Sequence, residues 1–297
     1  MAGAYVKDRR LAGFECHNRP MLLAKLRYVP LTAGKVRNWL DLLWRYILAK
    51  TPLYSGDLFC QFRDGTKMVA PAESGACWPL FEVMMTDDYR LAELRLESAP
   101  TLIVDIGAHV GSAAVRLSRM FPQAAVVCYE PNPGTARYLR ANLALNGVVA
   151  DVVEAAVAGE PGTGNLEGSA GLATSTVLLS GKPDLSATRV PVLSYSEEMS
   201  RLRPAGPVLV KMDCEGGEYA ILDGSSEDDW KYVEVVLLEY HPIAGRGGWR
   251  ELSERFAAFG LVPDWHRPNE RRTDLGLAML RRVGHRVGQR AVPVGTC

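Results

Sequence analysis

The sequence predicts an α/β fold with a mostly parallel sheet, and two observations lead to that prediction. From residue 101 onward, short apolar runs alternate with segments of helical periodicity, as in strand–helix–strand units. Several of these apolar runs end in an acidic residue, namely Asp105, Glu130, Asp213 and Glu239. Parallel strands end at one edge of a sheet, where open α/β sheets bind their ligands. A carboxylate there is unfavourable without a partner, so the acids predict a ligand crevice.

The same pattern divides the chain into three parts. Residues 1–98 are expected to form an N-terminal region with a helix over 36–50 and a hairpin that turns at Asp64-Gly65. Residues 99–284 are expected to form the α/β domain, and residues 285–297 a C-terminal tail.

The elements follow from apolar periodicity and from residues that begin or end helices. Asn132 and Pro133 are typical of a helix start, and Asn146-Gly147 of a helix end. The segment 159–189, rich in Gly, Ser and Thr, is expected to form a loop or a small hairpin. The other expected elements are helices at 78–96, 112–120, 196–203 and 249–259, and strands at 101–104, 125–129, 150–157, 190–193, 208–212, 233–238, 261–263 and 276–280.

Composition argues against several classes of function. The chain has 297 residues, of which 34 are basic and 34 acidic, so it has no net charge to attract nucleic acid. Its six cysteines lack the paired spacing of a zinc site. The most apolar stretch, 39–48, contains Asp41 and Arg45 and is too short to span a bilayer. The first thirty residues lack the apolar core of a signal peptide. We therefore expect a cytoplasmic protein without membrane or nucleic-acid partners.

The segment 104–112 is the most informative one. It places Asp105 at the end of an apolar strand, before a turn that contains Gly107 and Gly111. A dinucleotide-binding turn needs G-x-G-x-x-G, so that bare backbone can approach a pyrophosphate, but here His109 lies between the glycines. Asp105 would repel a diphosphate and attract the ammonium of a methionine moiety. The turn therefore favours S-adenosylmethionine over NAD.

A second acid supports a nucleoside ligand. Glu130 ends the next apolar run, nineteen positions after Gly111. An acid at this distance is typical of one that binds both hydroxyls of a ribose.

Three sequence blocks together resemble one family. They are DIGAHVG at 105–111, YEP at 129–131 and KMDCEGGE at 211–218. In this combination the chain resembles the FkbM family of methyltransferases over residues 78–282. The resemblance implies a class I methyltransferase Rossmann-like fold with a seven-stranded, mostly parallel sheet. It also implies S-adenosylmethionine as cofactor, with S-adenosylhomocysteine as product, and a hydroxyl of a natural product or sugar as acceptor.

The resemblance further implies which residues bind the cofactor. The first block corresponds to the loop around the methionine moiety, and His109 stands where the family usually has Asn. Glu130 corresponds to the ribose ligand, Pro131 and Asn132 flank the adenosine, and 154–156 border the adenine. The implied cofactor-binding residues are Asp105, Gly107, Ala108, His109, Gly111, Ser112, Glu130, Pro131, Asn132, Glu154, Ala155, Ala156 and Asp213.

The acceptor side needs a group that removes a proton. Methyl transfer from a sulfonium is an in-line displacement, but a hydroxyl acceptor also needs a base, or a metal that lowers its pKa. Asp213 is the preferred base or metal ligand, because its strand is expected to lie beside the strand that ends in Asp105. Glu215 is the next candidate, and His241 is a candidate acid–base residue. Lys211 is expected to pair with a nearby acid. The chemistry allows a divalent metal, although the sequence predicts no metal site.

The leading hypothesis is methyl transfer to a small-molecule acceptor, on oxygen. An N-methyltransferase for an amine, amidine or guanidine stays open, because the acids also suit a cationic nitrogen. A noncatalytic S-adenosylmethionine-binding protein is the alternative from another class. A nucleic-acid methyltransferase is disfavoured by the zero net charge and by the lack of an Asn/Asp-Pro-Pro-aromatic motif after the fourth core strand.

The N-terminal region carries surplus apolar surface. Trp39, Trp44 and Tyr46 give the helix expected at 36–50 more apolar surface than one core-facing stripe needs. This surplus suits either a lid over the acceptor or a homodimer interface.

Overall fold

The computed structural model describes residues 29–48, 56–72, 80–167, 176–178, 188–269 and 272–284. The elements are, in chain order, α1 Val29–Lys35, α2 Trp39–Leu48, β1 Asp57–Gln61, β2 Lys67–Pro71, a π-helical turn Phe81–Thr86, a 3₁₀ turn Leu91–Glu93, β3 Leu102–Ile106, α3 Ser112–Met120, β4 Ala125–Tyr129, α4 Pro133–Leu145, β5 Asp151–Val153, β6 Ala156–Ala158, β7 Gly162–Glu167, β8 Thr176–Leu178, β9 Thr188–Ser194, α5 Tyr195–Leu202, β10 Val208–Met212, α6 Gly217–Asp223, α7 Glu227–Trp230, β11 Val233–Tyr240, α8 Gly248–Ala258, β12 Leu261–Pro268 and β13 Gly276–Arg282.

A seven-stranded sheet forms the centre of the fold, in the strand order β12-β13-β11-β10-β3-β4-β5. Neighbouring strands are parallel except for β13, which runs antiparallel to both β11 and β12. The central strands β3 and β10 are buried along their whole lengths, as expected for strands covered on both faces. The predicted seven-stranded, mostly parallel sheet is confirmed.

Two hydrophobic cores cover the two faces of this sheet. On one face, Val115 and Leu117 of α3 pack with Ile103 of β3. On the other face, Trp230 stacks on Tyr195 with ring centroids 4.6 Å apart, in the same core as residues of β10 and β11. Burial of each such large side chain contributes about 1.5–3 kcal/mol, so the two cores hold the strand ends in fixed positions.

The N-terminal hairpin is fastened to the α/β domain. Its strands β1 and β2 are antiparallel, and Gly65 in the turn has φ +90°, so the predicted hairpin is confirmed. Asn142 of α4 donates to the carbonyls of Val69 and Val110 at 2.8 Å each and accepts from the N–H of Val69. Buried residues of the hairpin, among them Leu58, belong to the core on the α3 face. The described part of the N-terminal region is therefore packed on the sheet.

Several boundaries differ from the sequence predictions. The strand expected over 150–157 is two strands: β5 ends at Val153, and β6 belongs to a separate four-stranded sheet in the order β6-β9-β7-β8. The helix expected over 36–50 begins only at Trp39, because Val36 forms a β-bridge with Phe62. In the segment expected to be helical over 78–96, the described residues form only the π-helical and 3₁₀ turns. β11 runs to Tyr240, two residues beyond the prediction, so that Glu239 lies within the strand.

Helix α2 has apolar residues on more than one side, as predicted. Trp39 and Tyr46 pack against the core, while Leu40 and Trp44 are exposed. None of the described helices combines the length and the apolar character needed to span a membrane.

Candidate active site

The glycine loop, which we define as residues 107–111, lies against the end of strand β10. β3 and β10 pair in parallel with Lys211 beside Asp105, and the N–H of Asp213 donates to a β3 carbonyl at 3.0 Å. Gly107 has φ +76°, and a Cβ there would stand 1.8 Å from the carbonyl oxygen of Asp213. Glycine is required for both the backbone conformation and the close approach. The predicted neighbourhood of Asp105 and Asp213 is therefore confirmed.

Lys211 is a buried cation between these two acids. Its Nζ lies 3.3 Å from Oδ1 of Asp105 and 3.4 Å from Oδ2 of Asp213, and it donates to the carbonyl of Gly107 at 2.7 Å. Burial raises the pKa of Asp105, which the ammonium partly offsets. Burial opposes the charge of Lys211, but Asp105 and Asp213 outweigh this effect and raise its pKa. The predicted ion pair is confirmed, and it fixes the geometry of the strand ends.

Glu130 lies beside the glycine loop at the end of β4. Its side chain is nearly buried, and its carboxylate accepts from the backbone N–H groups of His109 and Asn132 at 2.9 Å each. Burial raises the pKa of Glu130 to about 7, although the two N–H donors lower it. A carboxylate held this way retains lone pairs for hydroxyl donors of a ligand.

The first residue of α3, next to the glycine loop, leaves a polar atom for a ligand. Ala108 donates its N–H to the carbonyl of Tyr129 at 3.0 Å, while His109 and Gly111 adopt positive φ values of +50° and +84°. At the start of α3, the buried hydroxyl of Ser112 has no hydrogen-bond partner among the described residues. Buried hydroxyls are rarely left without a partner, so this one fits a polar ligand at the loop.

The residues predicted beside the adenine lie at the end of β5, the strand next to β4. Glu154 is exposed and pairs with Arg140 at 2.5 Å, Ala155 is buried, and Ala156 begins β6. Pro131 lies half-buried between Glu130 and the start of α4. The contacts of these residues with an adenosine stay predictions.

Four side chains meet at the ends of β10 and β11, and we call them the strand-edge cluster: Asp213, Glu215, Glu239 and His241. The Nε2 atom of His241 lies 3.9 Å from Oδ1 of Asp213, 3.8 Å from Oε2 of Glu215 and 4.0 Å from Oε1 of Glu239. Glu215 adopts φ +54°, which is unusual for a residue with a side chain. The structure thus brings together the three residues predicted to be catalytic and adds Glu239 to them.

The charged groups of the strand-edge cluster shift one another's pKa values. Burial raises the pKa of Glu239 well above its ordinary value, and Asp213 raises it further. Burial opposes protonation of His241, but Glu215 and Glu218 outweigh this effect and raise its pKa well above its ordinary value. The neighbouring acids therefore favour the protonated form of His241, so that a carboxylate is the better proton acceptor.

Glu218 lies behind His241 and is fully buried. Its Oε1 accepts from Nδ1–H of His241 at 3.0 Å and from the N–H of Cys214 at 3.2 Å. Its Oε2 is buried with no hydrogen-bond partner among the described residues. In the sequence, Glu218 is recognisable only as an acid at the start of a helix. Its distance along the chain from His241 does not predict that the two side chains meet.

Tyr89 is a site residue that the sequence does not reveal. It is buried, and its hydroxyl lies 3.4 Å from both Oδ2 of Asp213 and Oε2 of Glu239. The turn that carries it is fixed by Asp87, whose carboxylate accepts backbone N–H groups of the 3₁₀ turn and pairs with Arg116 of α3 at 2.8 Å. No motif surrounds Tyr89, because its position depends on contacts with helix and strand residues far along the chain.

Comparison with known proteins agrees with this geometry. The family model described as Methyltransferase FkbM domain matches residues 105–272. The chain is 28% identical to "Methyltransferase sdnD" of Sordaria araneosa over 192 residues, which are 54% of this chain and 73% of that protein. It is 23% identical to "Methyltransferase 1" of Beauveria bassiana over 197 residues, 57% of this chain and 77% of that protein.

Solved structures give remoter similarities. One is TrmK of M. capricolum in complex with S-adenosylhomocysteine, with a TM-score of 0.40, 11% identity, and coverage of 66% of this chain and 67% of that one. Another is an O-methyltransferase family protein from Burkholderia thailandensis, with a TM-score of 0.39, 12% identity, and coverage of 69% and 56%.

Proposed function

The chain belongs to the FkbM methyltransferase family and is an S-adenosylmethionine-dependent methyltransferase, and we propose that its acceptor is a hydroxyl group of a small molecule. A natural product or a sugar is the proposed acceptor class. Family membership sets aside the alternative of a noncatalytic binding protein.

One observation carries the choice of a hydroxyl acceptor. The strand-edge cluster lies directly beside the glycine loop, because the carbonyl of Asp213 touches Gly107. S-Adenosylmethionine supplies a reactive sulfonium methyl group, which needs no acid or base. A hydroxyl acceptor does need to lose a proton, and the cluster offers carboxylates for that purpose. Asp213 either takes the proton itself or holds a cation that lowers the pKa of the hydroxyl.

The cofactor side has its own proposed roles. Glu130 binds the ribose hydroxyls through the lone pairs that the loop N–H groups leave free. Asp105, paired with Lys211, sets the electrostatic potential near the methionine ammonium. Ser112 supplies its unpartnered hydroxyl, and Gly107 and Gly111 give the loop its path. Two observations support a cofactor site at this edge of the sheet: the buried hydroxyl of Ser112 has no hydrogen-bond partner among the described residues, and the carboxylate of Glu130 is nearly buried.

The described N-terminal residues belong to the acceptor side in this proposal. Tyr89 reaches Asp213 and Glu239 from the turn that follows the π-helical segment. This contact supports a role for the region in enclosing the acceptor. Pairing of two copies through the exposed Leu40 and Trp44 of α2 is the rival role.

A second candidate function is N-methylation. Asp213, Glu215 and Glu239 supply three carboxylates, and Lys211 and His241 supply two cations. These carboxyl groups would accept hydrogen bonds from an ammonium, amidinium or guanidinium acceptor, which supports the rival.

The test is a methyl-transfer assay with radiolabelled S-adenosylmethionine and matched acceptors that differ only in carrying a hydroxyl or an amine at one position. We expect label on the hydroxyl member of the pairs. Transfer confined to amines would replace the proposal with N-methylation. The Asp213→Asn variant, assayed on the same pairs, should lose transfer to hydroxyls.

A further inference from the structure

Three ligand-type atoms converge inside the strand-edge cluster. They are Nε2 of His241, Oδ1 of Asp213 and Oε1 of Glu239, and atoms of this group lie within 4.8 Å of one another. One imidazole nitrogen and two carboxylate oxygens form a donor set that suits divalent first-row metals. We propose that Asp213, Glu239 and His241 form a binding site for such a cation. The inference deepens the proposed transfer to a hydroxyl and rests on it for its role in the reaction.

The other polar atom of each proposed ligand is held by a buried side chain. Nδ1–H of His241 donates to Glu218 at 3.0 Å, which directs Nε2 towards the two carboxylates. The hydroxyl of Tyr89 lies 3.4 Å from the second oxygens of both Asp213 and Glu239. Such hydrogen bonds are typical of metal sites. The partner of a ligand's non-coordinating atom fixes the tautomer and orientation of that ligand before the ion binds.

Glu218 is the independent observation that points to a ligand. It is fully buried behind His241, and its Oε2 has no hydrogen-bond partner in the described part of the chain. A buried carboxylate that accepts Nδ1–H of a histidine is the usual outer-shell partner of a metal-binding imidazole, and here it leaves the far ring nitrogen facing Asp213 and Glu239.

The balance of charge also favours a cation. Asp213, Glu215 and Glu239 surround one ring nitrogen at 3.8 to 4.0 Å, and Lys211 is shared with a further acid, Asp105. Carboxyl groups this close cannot all be ionised without mutual repulsion, and a divalent cation would stabilise their ionised forms. Binding displaces the Nε2 proton, as metal binding to histidine generally does.

The site gives the cation a defined task. A divalent cation lowers the pKa of a hydroxyl at its open coordination positions. In the transfer step the acceptor O–H bond breaks and its proton goes to Glu215, whose Oε2 lies 3.8 Å from Nε2 of His241. The acceptor oxygen forms the new bond to the methyl carbon, and the C–S bond breaks with its electron pair left on sulfur.

The experiment measures Mn²⁺ binding to the chelator-treated full-length protein by calorimetry and by electron paramagnetic resonance, with no acceptor present. We expect one Mn²⁺ per chain. We expect affinity to fall at least about tenfold in Asp213→Asn and in His241→Gln, and about 10- to 100-fold in Glu218→Gln, a loss typical of outer-shell partners. His266→Gln, which removes an imidazole that contacts Tyr240, is the control and should bind Mn²⁺ as the wild type does.

Retained S-adenosylhomocysteine binding shows that each variant is folded. Wild-type protein that binds no Mn²⁺, or variants that bind it unchanged, would overturn the site. Methyl transfer to hydroxyls that persists in chelator would then leave the proposed function intact, with Asp213 as the direct base. Binding of Mn²⁺ without transfer to any hydroxyl would instead remove the proposed function and keep the metal site.

Discussion

At the proposed cofactor side of the sheet edge, Glu130 accepts from backbone N–H groups two and twenty-one residues away. At the proposed acceptor side, Asp213 pairs with Lys211 two residues away, but Asp213 and Glu239 also lie against the hydroxyl of Tyr89, 124 and 150 residues away. Backbone donors at a tight loop are positioned by the local sequence. A tyrosine hydroxyl is positioned by packing. The residues proposed to bind the cofactor thus form a local motif, whereas those proposed to face the acceptor also depend on tertiary packing. If these roles are correct, recognition of the acceptor depends on the whole fold.

The largest expected effect is on the acceptor side. Asp213→Asn should lower kcat by 10² to 10⁴, or roughly 3–5 kcal/mol of barrier, whether Asp213 is the base or a metal ligand. The Kd for S-adenosylhomocysteine should stay within about tenfold, because the loss falls on the transition state. Steady-state kinetics and calorimetry measure the two quantities.

The control for this substitution is Asp264→Asn, the same change in an exposed carboxylate on β12. It should leave kcat unchanged. Full activity in a folded Asp213→Asn variant would show that this residue has no role in the reaction. The proposed difference in role between the cofactor side and the acceptor side would then lose its main support.

The contact between the two sides is tested by Gly107→Ala. The new Cβ would stand 1.8 Å from the carbonyl of Asp213, at φ +76°. We expect the positive φ to cost about 1–2 kcal/mol and the overlap about 1–3 kcal/mol more in the free energy of unfolding. Denaturant unfolding measures the sum, and both cofactor binding and turnover should fall.

The matched control for this change is Gly65→Ala. Gly65 has φ +90°, and no atom lies within 4 Å of the place that a Cβ would take. Gly65→Ala therefore measures only the free-energy cost of a side chain at positive φ. Equal loss of unfolding free energy in the two variants would mean that the close approach of Gly107 to the carbonyl of Asp213 does not contribute to the effect of Gly107→Ala.

On the cofactor side, Glu130→Ala should weaken binding of S-adenosylhomocysteine by about 1.5–3 kcal/mol, as expected for charge-assisted hydrogen bonds. Because the roles of the two sides differ, kcat at saturating cofactor should change much less than in Asp213→Asn. Calorimetry gives the affinity, and Glu160→Ala, in an exposed turn, is the control. An unchanged Kd in folded Glu130→Ala would place the ribose elsewhere.

The smallest expected effect is a pH dependence of cofactor affinity. The pKa of Glu130 is raised to about 7 by burial, so below this pH its carboxyl is mostly protonated and accepts fewer hydrogen bonds. Affinity for S-adenosylhomocysteine should rise about tenfold between pH 6 and pH 8, the change expected for a single group titrating between them. Glu130→Gln should lack this dependence. The same slope in both proteins would assign the titration to another group.

Much of the fold was predictable because its signals are local. The strand 125–129 and the helix 112–120 were predicted with the observed bounds, and Asn132 caps α4 as expected, accepting from the N–H of Gly134 at 2.9 Å. The break between β5 and β6 was not predictable. Apart from Asp151 and Glu154 the residues of 150–157 are apolar, and the pairing of β6 with β9 takes the second half of this segment away from the main sheet.

By itself, the sequence determined the acids at the strand ends, the glycines of the loop and the family to which the chain belongs, because each is written in a few consecutive residues. Only the tertiary structure decided that Tyr89 would lie against Asp213 and Glu239, and that Glu218 would direct a ring nitrogen of His241. These contacts join distant segments of the chain. Packing of the two cores fixes them, and no spacing of residues in the sequence predicts them.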